Sequence, residues 1–316
     1  MTESVGPPIA ISESAPRPGF GLTDVLLFAM AAIWGINFVV VKYATGIFSP
    51  VAFTGLRVST VAVFLLLVAF SRSANESATG NRSVFRGIAR RDVVRLLLLG
   101  LIGNGLYQLF FVHGVSRTRA GNAALIVGAA PAFIALFARA KGLERVRRKT
   151  LFGIALSVLG VGLVIAGSAK SGAGETTLLG SVLVFFGVLS WTVFTILLQP
   201  LTKRIDVITL SSLTMVGGAV PLLIASGPAI VATDWSRIGM GGWLALLYSS
   251  IISMGVAYLF WYRGLRVLGP TRTAVYSNLQ PIIALVVAWA FLGEDPTAFQ
   301  GVGAATIIAG VFLTRA

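Results

Sequence analysis

From position 22 onward the chain alternates long apolar runs with short breaks that hold most of its charges. A helix that crosses a bilayer needs roughly 20 mostly apolar residues. The pattern predicts ten such helices. Five lie in one half, at 22–44, 50–70, 93–113, 120–140 and 149–168. Five lie in the other, at 178–199, 206–226, 241–262, 270–292 and 297–314. The fourth run is the weakest, being rich in alanine and glycine rather than leucine. Residues 1–21 are rich in Pro, Ser and Glu and read as a disordered cytoplasmic tail. They lack the basic start and apolar core of a cleavable signal peptide.

Composition agrees with the pattern. Of the 316 residues 56% are hydrophobic and 11% charged. A soluble domain carries about 25% charged residues, so most of this surface cannot face water. With no cysteine and one histidine, His113, no disulfide, metal centre or cofactor is expected.

The net charge of +14 invites a nucleic-acid reading, but its placement argues for topology. Arg72, Arg82, Arg86, Arg90 and Arg91 lie between spans 2 and 3, and Lys141, Arg145, Arg147 and Arg148 between spans 4 and 5. Lys203, Arg204, Arg263, Arg266 and Arg315 continue the series. The alternate loops hold fewer, with Arg117 and Arg119 as the dissent. The positive-inside rule then puts both termini in the cytoplasm. The expected partners are the bilayer and a small-molecule substrate, not nucleic acid.

Sliding the chain by 150 positions aligns its halves. Gly105 meets Gly255, Gly114 meets Gly264, Pro131 meets Pro281, Glu144 meets Glu294, and Gly160 meets Gly310. The first spans align at a slightly different offset, with Trp34 on Trp191. An odd number of spans per repeat makes the second half enter the membrane from the opposite side. That is the architecture of many secondary transporters, with the substrate site between the halves near the midplane. The expected fold class is an all-α integral membrane protein. Its ten transmembrane helices form two inverted five-helix repeats, 22–168 and 178–315, around a central cavity.

The segments WGINFVVVK (34–42), GNAALIVGAAPAF (121–133) and AVYSNLQPIIALVVAWAFLGE (274–294) carry a family likeness. With the glycine-spaced last span, they resemble the drug/metabolite transporter superfamily, EamA type. Among its members the chain is most similar to aromatic amino-acid exporters (YddG type). The resemblance implies a basket of ten helices with a cavity lined by spans 1, 3, 4, 6, 8 and 9, and with spans 5 and 10 outside it. It also implies export across a bacterial inner membrane.

Polar residues inside spans are costly and tend to face a cavity or a partner helix. On span 3, Asn104, Tyr107, Gln108 and Phe111 share an arc of about 100° on an ideal helix. Under the repeat, Gln108 corresponds to Tyr258 and Phe111 to Trp261. On span 9, Tyr276 and Gln280 share a face. Trp34 and Asn37 on span 1 and Trp191 on span 6 complete the candidate set. Amides would hold charged groups of a zwitterion and rings its apolar side chain. Pro131 and Pro281 are hinge candidates, because each leaves the carbonyl four residues back, on Val127 and Ser277, without its usual donor. Lys42, higher on span 1, is expected to snorkel to the outer surface.

No Asp or Glu falls in mid-span, whereas proton-coupled carriers place a relay carboxylate there. The related small multidrug exporters depend on a glutamate in their first helix, and 26–38 has none. Uncoupled transport by alternating access is the expectation. An intramembrane enzyme lacks any HExxH or GxSxG motif. A channel would show a filter or a charged ring. A nucleotide-sugar antiporter would need paired cations in mid-span, where only Arg57, towards the outer half of span 2, qualifies. Efflux of purines or cationic compounds stays open as an alternative substrate class. A monomer is expected, with a dimer through spans 5 and 10 as the alternative.

Overall fold

The structure is a computed structural model that describes residues 21–78, 88–142, 148–170 and 174–315. The expected tail (1–20), loop residues Arg82, Arg86, Arg145 and Arg147, and Glu144 lie outside them.

The chain forms ten consecutive membrane-scale helices. The first half holds α1 (Leu22–Ala44), α2 (Pro50–Ala78), α3 (Arg90–Arg117), α4 (Ala120–Ala140) and α5 (Arg148–Lys170). The second holds α6 (Gly174–Thr202), α7 (Val207–Val231), α8 (Met240–Val267), α9 (Pro270–Leu292) and α10 (Ala298–Arg315). Eight are long and apolar enough to cross a membrane, while the apolar parts of α5 and α10 are shorter. Several run past the sequence-predicted ends, α2, α3, α7 and α8 most clearly. Intrahelical hydrogen bonds need no apolar neighbours, so a helix continues past the hydrocarbon boundary until a cap or glycine stops it.

Helix ends follow local chemistry. Asp206 starts α7, its Oδ2 accepting from the Ile208 and Thr209 amides at 2.9 and 3.2 Å. Gly269 (φ 82°) precedes Pro270, which opens α9, and Gly293 (φ 64°) closes it in the left-handed region that favours glycine.

The repeat is visible in backbone irregularities. Helix α3 widens to π-helix at Leu101–Leu106 and α8 does so at Tyr248–Val256, 150 positions on. Helix α4 breaks at Ala129, just before Pro131, and α9 breaks at Ser277 and Asn278, just before Pro281. Across the halves α2 packs on α7, and α5 packs on α10. The α5–α10 seam depends on small residues: a Cβ on Gly160 would lie 2.7 Å from Ile307 Cγ1, and one on Gly310 would lie 2.5 Å from the Gly153 carbonyl. Gly160, Gly303 and Gly310 are thus used inside the molecule, whereas Gly162 and Gly301 face open space.

Candidate functional site

The two repeats meet around a central cavity with a rigid aromatic wall. Trp34 on α1 packs edge-on against Trp191 of α6 and Tyr258 of α8, with centroids 5.7 and 5.6 Å apart, and tilts against Trp261 at 5.5 Å. Tyr107 of α3 closes the ring against Trp191 at 5.0 Å. Edge and tilted pairs are the favoured aromatic geometries. Here they join helices of both halves in one cluster.

Polar groups punctuate this wall. Gln108 Nε2 donates to the Tyr258 hydroxyl at 2.9 Å, so two residues aligned by the repeat meet across the interface. Trp34 Nε1 donates to the Ser253 carbonyl at 2.9 Å, within the π-helical stretch of α8. Such stretches recur at functional sites because the wider turn redirects backbone and side chains. Asn37 lines the cavity, and its Oδ1 accepts from Ser249 Oγ at 2.8 Å. Gln280 and Ser277 enter from α9, opposite Ala130 and Val127 of α4 at the corresponding repeat positions.

The helix breaks put these last residues on the rim. The carbonyl of Ser277, predicted to lack a donor, instead accepts from the Gln280 amide at 3.1 Å as the chain tightens around Pro281. Val127 and Ser277 both line the cavity, while Pro281 touches the position a Cβ would take on Gly128 of α4. The two breaks therefore cross beside the cavity.

The structure separates the sequence-predicted residues into two groups. Trp34, Asn37, Tyr107, Gln108, Trp191, Tyr258 and Gln280 line the cavity together. Asn104 and Tyr276 do not. Asn104 is buried against Gly218 of α7. Tyr276 donates its hydroxyl to Asp24 Oδ1 and packs edge-on against Phe28, near the end of the bundle where α1 begins. Both had been placed by an ideal helical wheel. Asn104 lies inside the π-helical stretch, and the break at Ser277 and Asn278 separates Tyr276 from Gln280, so neither keeps its ideal azimuth.

Lys42 finds partners at its end of α1. Its Nζ donates to the Ser116 and Thr118 carbonyls at 3.1 and 2.7 Å, so it caps the C-terminal end of α3 while staying half-buried. At the same end Glu294 accepts from the Ala120 and Gly121 amides at 3.0 and 3.3 Å, a carboxylate on the N-terminus of α4. These contacts tie α1, α3, α4 and α9 together at the end opposite Asp24.

Sequence reasoning noted Arg57 as a mid-span charge but did not place it in the site. It enters the cavity from α2, a helix the resemblance left out of the lining, and is 1% exposed. Its guanidinium lies over the rings of Phe53 and Phe111, at 5.7 and 5.9 Å from their centroids. The signal was present, because a charge so deep in an apolar run is expensive unless it is used. Every described carboxylate lies elsewhere, at helix ends or in the connections between helices. Among the described residues no group of acidic, His or Cys side chains is placed to hold a metal.

With this geometry in hand, the comparisons with known proteins become informative. The model of the EamA-like transporter family matches the chain twice, over residues 21–166 and 178–316. The chain belongs to that family. Each match spans one five-helix half. Among relatives, an "Uncharacterized transporter YyaM" of Bacillus subtilis (strain 168) is 29% identical over 290 residues, 91% of each chain. A "Probable amino-acid metabolite efflux pump" of Escherichia coli (strain K12) is 28% identical over 299 residues, covering 92% of this chain and 93% of its own. A solved structure described only as "Crystal structure of protein" superposes with a TM-score of 0.65 at 17% identity. It covers 92% of this chain and 95% of its own, and it supports the fold. This EamA-like protein is a multi-pass membrane transporter and not an enzyme.

Proposed function

We propose that this transporter exports amino acids with apolar or aromatic side chains, by alternating access and without proton coupling. Its substrate site is the central cavity, and Pro131 and Pro281 are the hinges. It works as a monomer in a bacterial inner membrane, with both termini in the cytoplasm. The observation that carries this reading is the wall of Trp34, Tyr107, Trp191, Tyr258 and Trp261, joined across the repeat interface by the Gln108–Tyr258 hydrogen bond. Stacked rings suit an apolar or aromatic side chain, and the amides between them suit its polar end. The name of the Escherichia coli relative, a probable amino-acid metabolite efflux pump, supports the same reading.

The cavity offers about 40 Å³ to the centres of water-sized molecules. A single water needs about 10–15 Å³ by that measure, so the space holds only a few waters. An amino acid enters after the aromatic wall has parted, which is what a carrier that closes around its site requires.

The test is tracer flux in proteoliposomes across apolar and aromatic amino acids, purines and cationic drugs. Unlabelled substrate inside the vesicles should accelerate uptake of labelled phenylalanine or leucine. A simple pore would show no such trans-stimulation. Movement of only cationic drugs or only purines would overturn the amino-acid reading.

A further inference from the structure

We infer that Arg57 is the carboxylate-binding residue of the cavity, and that with Gln108 it restricts the transported class to free α-amino acids. This rests on the reading of the cavity as the substrate site and adds the chemistry of what the site selects.

The argument starts from unsatisfied atoms. On the residues that line the cavity, four buried polar atoms have no hydrogen-bond partner among the described residues: Arg57 Nε and Nη1, Trp261 Nε1 and Gln108 Oε1. Three are donors and one is an acceptor. Buried polar atoms in native proteins are nearly always paired, so a set of orphans on residues around one cavity marks groups that a ligand completes as the cavity opens to it.

Arg57 is the strongest of them. Membrane-buried arginines pair with carboxylates or backbone carbonyls, and this one has neither among the described residues. Among the described residues its guanidinium lies over the Phe53 and Phe111 rings. Rings at these distances satisfy none of the five N–H donors, and Nε and Nη1 are left for another partner. No carboxylate lines the cavity among the described residues, so the anion comes with the substrate.

The geometry of the donor set narrows that anion. A planar fork matches a carboxylate in two parallel hydrogen bonds. A dianionic phosphate wants several cations, and Arg57 is the only basic residue in the lining. A cationic substrate would meet an uncompensated positive charge at low dielectric and is excluded by it.

Gln108 supplies the other half. Its Nε2 is held by the Tyr258 hydroxyl, which leaves Oε1 as a fixed, empty acceptor. An acceptor beside an anion site calls for a donor on the substrate, and the ammonium of an α-amino acid provides one. The side chain then lies against the rings of Trp34, Trp191 and Trp261.

Three probes test this in proteoliposomes and by tryptophan-fluorescence titration: phenylalanine, its amide, and 3-phenylpropionate, which lacks the ammonium. Wild-type protein should prefer phenylalanine to the amide by ~30-fold or more, the scale of a desolvated charge pair. It should also prefer phenylalanine to phenylpropionate by roughly tenfold. Arg57→Gln should lose ~30-fold or more for phenylalanine while its affinity for the amide stays level or rises, so that the preference collapses. Unfolding cannot produce that inversion. Arg57→Lys, with the charge but not the fork, should fall between the two. A wild type that takes the amide as readily as the acid, or an Arg57→Gln variant with an unchanged ratio, overturns the assignment and leaves the cavity reading intact. A wild type that moves none of the three overturns the cavity reading, and this inference with it.

Discussion

Asn37 and Lys42 stand five positions apart on α1 and serve different neighbours. Asn37 reaches Ser249 inside the bundle, whereas Lys42 caps α3 at its end. Hydrogen bonds inside membrane proteins average about 0.6 kcal/mol in double-mutant cycles, so the Asn37–Ser249 bond should be small but measurable. Thermal unfolding in detergent of Asn37→Ala, Ser249→Ala and the double variant should show a coupling of about 0.5–1.5 kcal/mol. Strictly additive effects would mean that the two do not interact. Arg57 presents the opposite balance. An unpaired buried ion costs several kcal/mol, and the two cation–π contacts return about 0.5–2 kcal/mol each. Arg57→Met should therefore leave the substrate-free protein as stable as wild type or ~1–4 kcal/mol more stable. A clear loss of thermal stability in that variant would point to a structural role.

At the scale of helices, the spans were legible because each buries its backbone polarity in its own hydrogen bonds and shows the bilayer an unbroken apolar run. Matched glycines and prolines revealed the repeat for a related reason: Gly105 and Gly255 lie in the π-helical stretches, Pro131 and Pro281 follow the helix breaks, and Gly160 and Gly310 mark a close helix contact. Azimuths were legible only where the helix stays ideal. Tyr107 and Gln108 follow the π-helical stretch and share the cavity, whereas Asn104 within it turns to α7. Arg57 stood out as a mid-span charge but could not be placed in the cavity, because nothing along α2 says which neighbours its faces meet. Two substitutions separate hinge from scaffold. Pro281→Ala supplies the helical amide donor four residues on from Ser277, whose carbonyl now accepts from Gln280, and favours a straight α9. It should slow counterflow by about tenfold or more while leaving thermal stability unchanged or higher, as expected for a hinge. Gly160→Leu should do the reverse. It collides with Ile307 and the Gly303 carbonyl in a seam remote from the cavity. It should cost about 1–3 kcal/mol of stability with little change in substrate affinity. Equal effects of both variants on rate and stability would remove the distinction.

For the whole molecule, charge placement makes a statement about energy coupling. The bundle is clasped at one end by Lys42 and Glu294 on helix termini, and at the other by Tyr276 on Asp24. Between these ends the cavity holds, among the described residues, one fixed cation, Arg57, and no carboxylate. Arginine does not release its proton in proteins, so it cannot serve as a relay. On the proposed reading the substrate is a zwitterion of zero net charge, and the only charge that stays with the site belongs to the protein. A full cycle then carries no net charge and no proton across the membrane. Moving one charge through 100 mV is worth about 2.3 kcal/mol. A carrier coupled to one proton would therefore hold a gradient of ~50-fold at that potential, since ~1.4 kcal/mol is a factor of ten. This protein should instead bring labelled phenylalanine to the same concentration on both sides. That endpoint should not move when a potassium diffusion potential of about 100 mV or a pH difference of about one unit is imposed across the proteoliposome. The potential can change how fast the endpoint is reached, because Arg57 shifts within the field as the halves rock. It cannot change the endpoint itself. Accumulation that follows the imposed gradient would require an ion path that the cavity does not contain among its described residues.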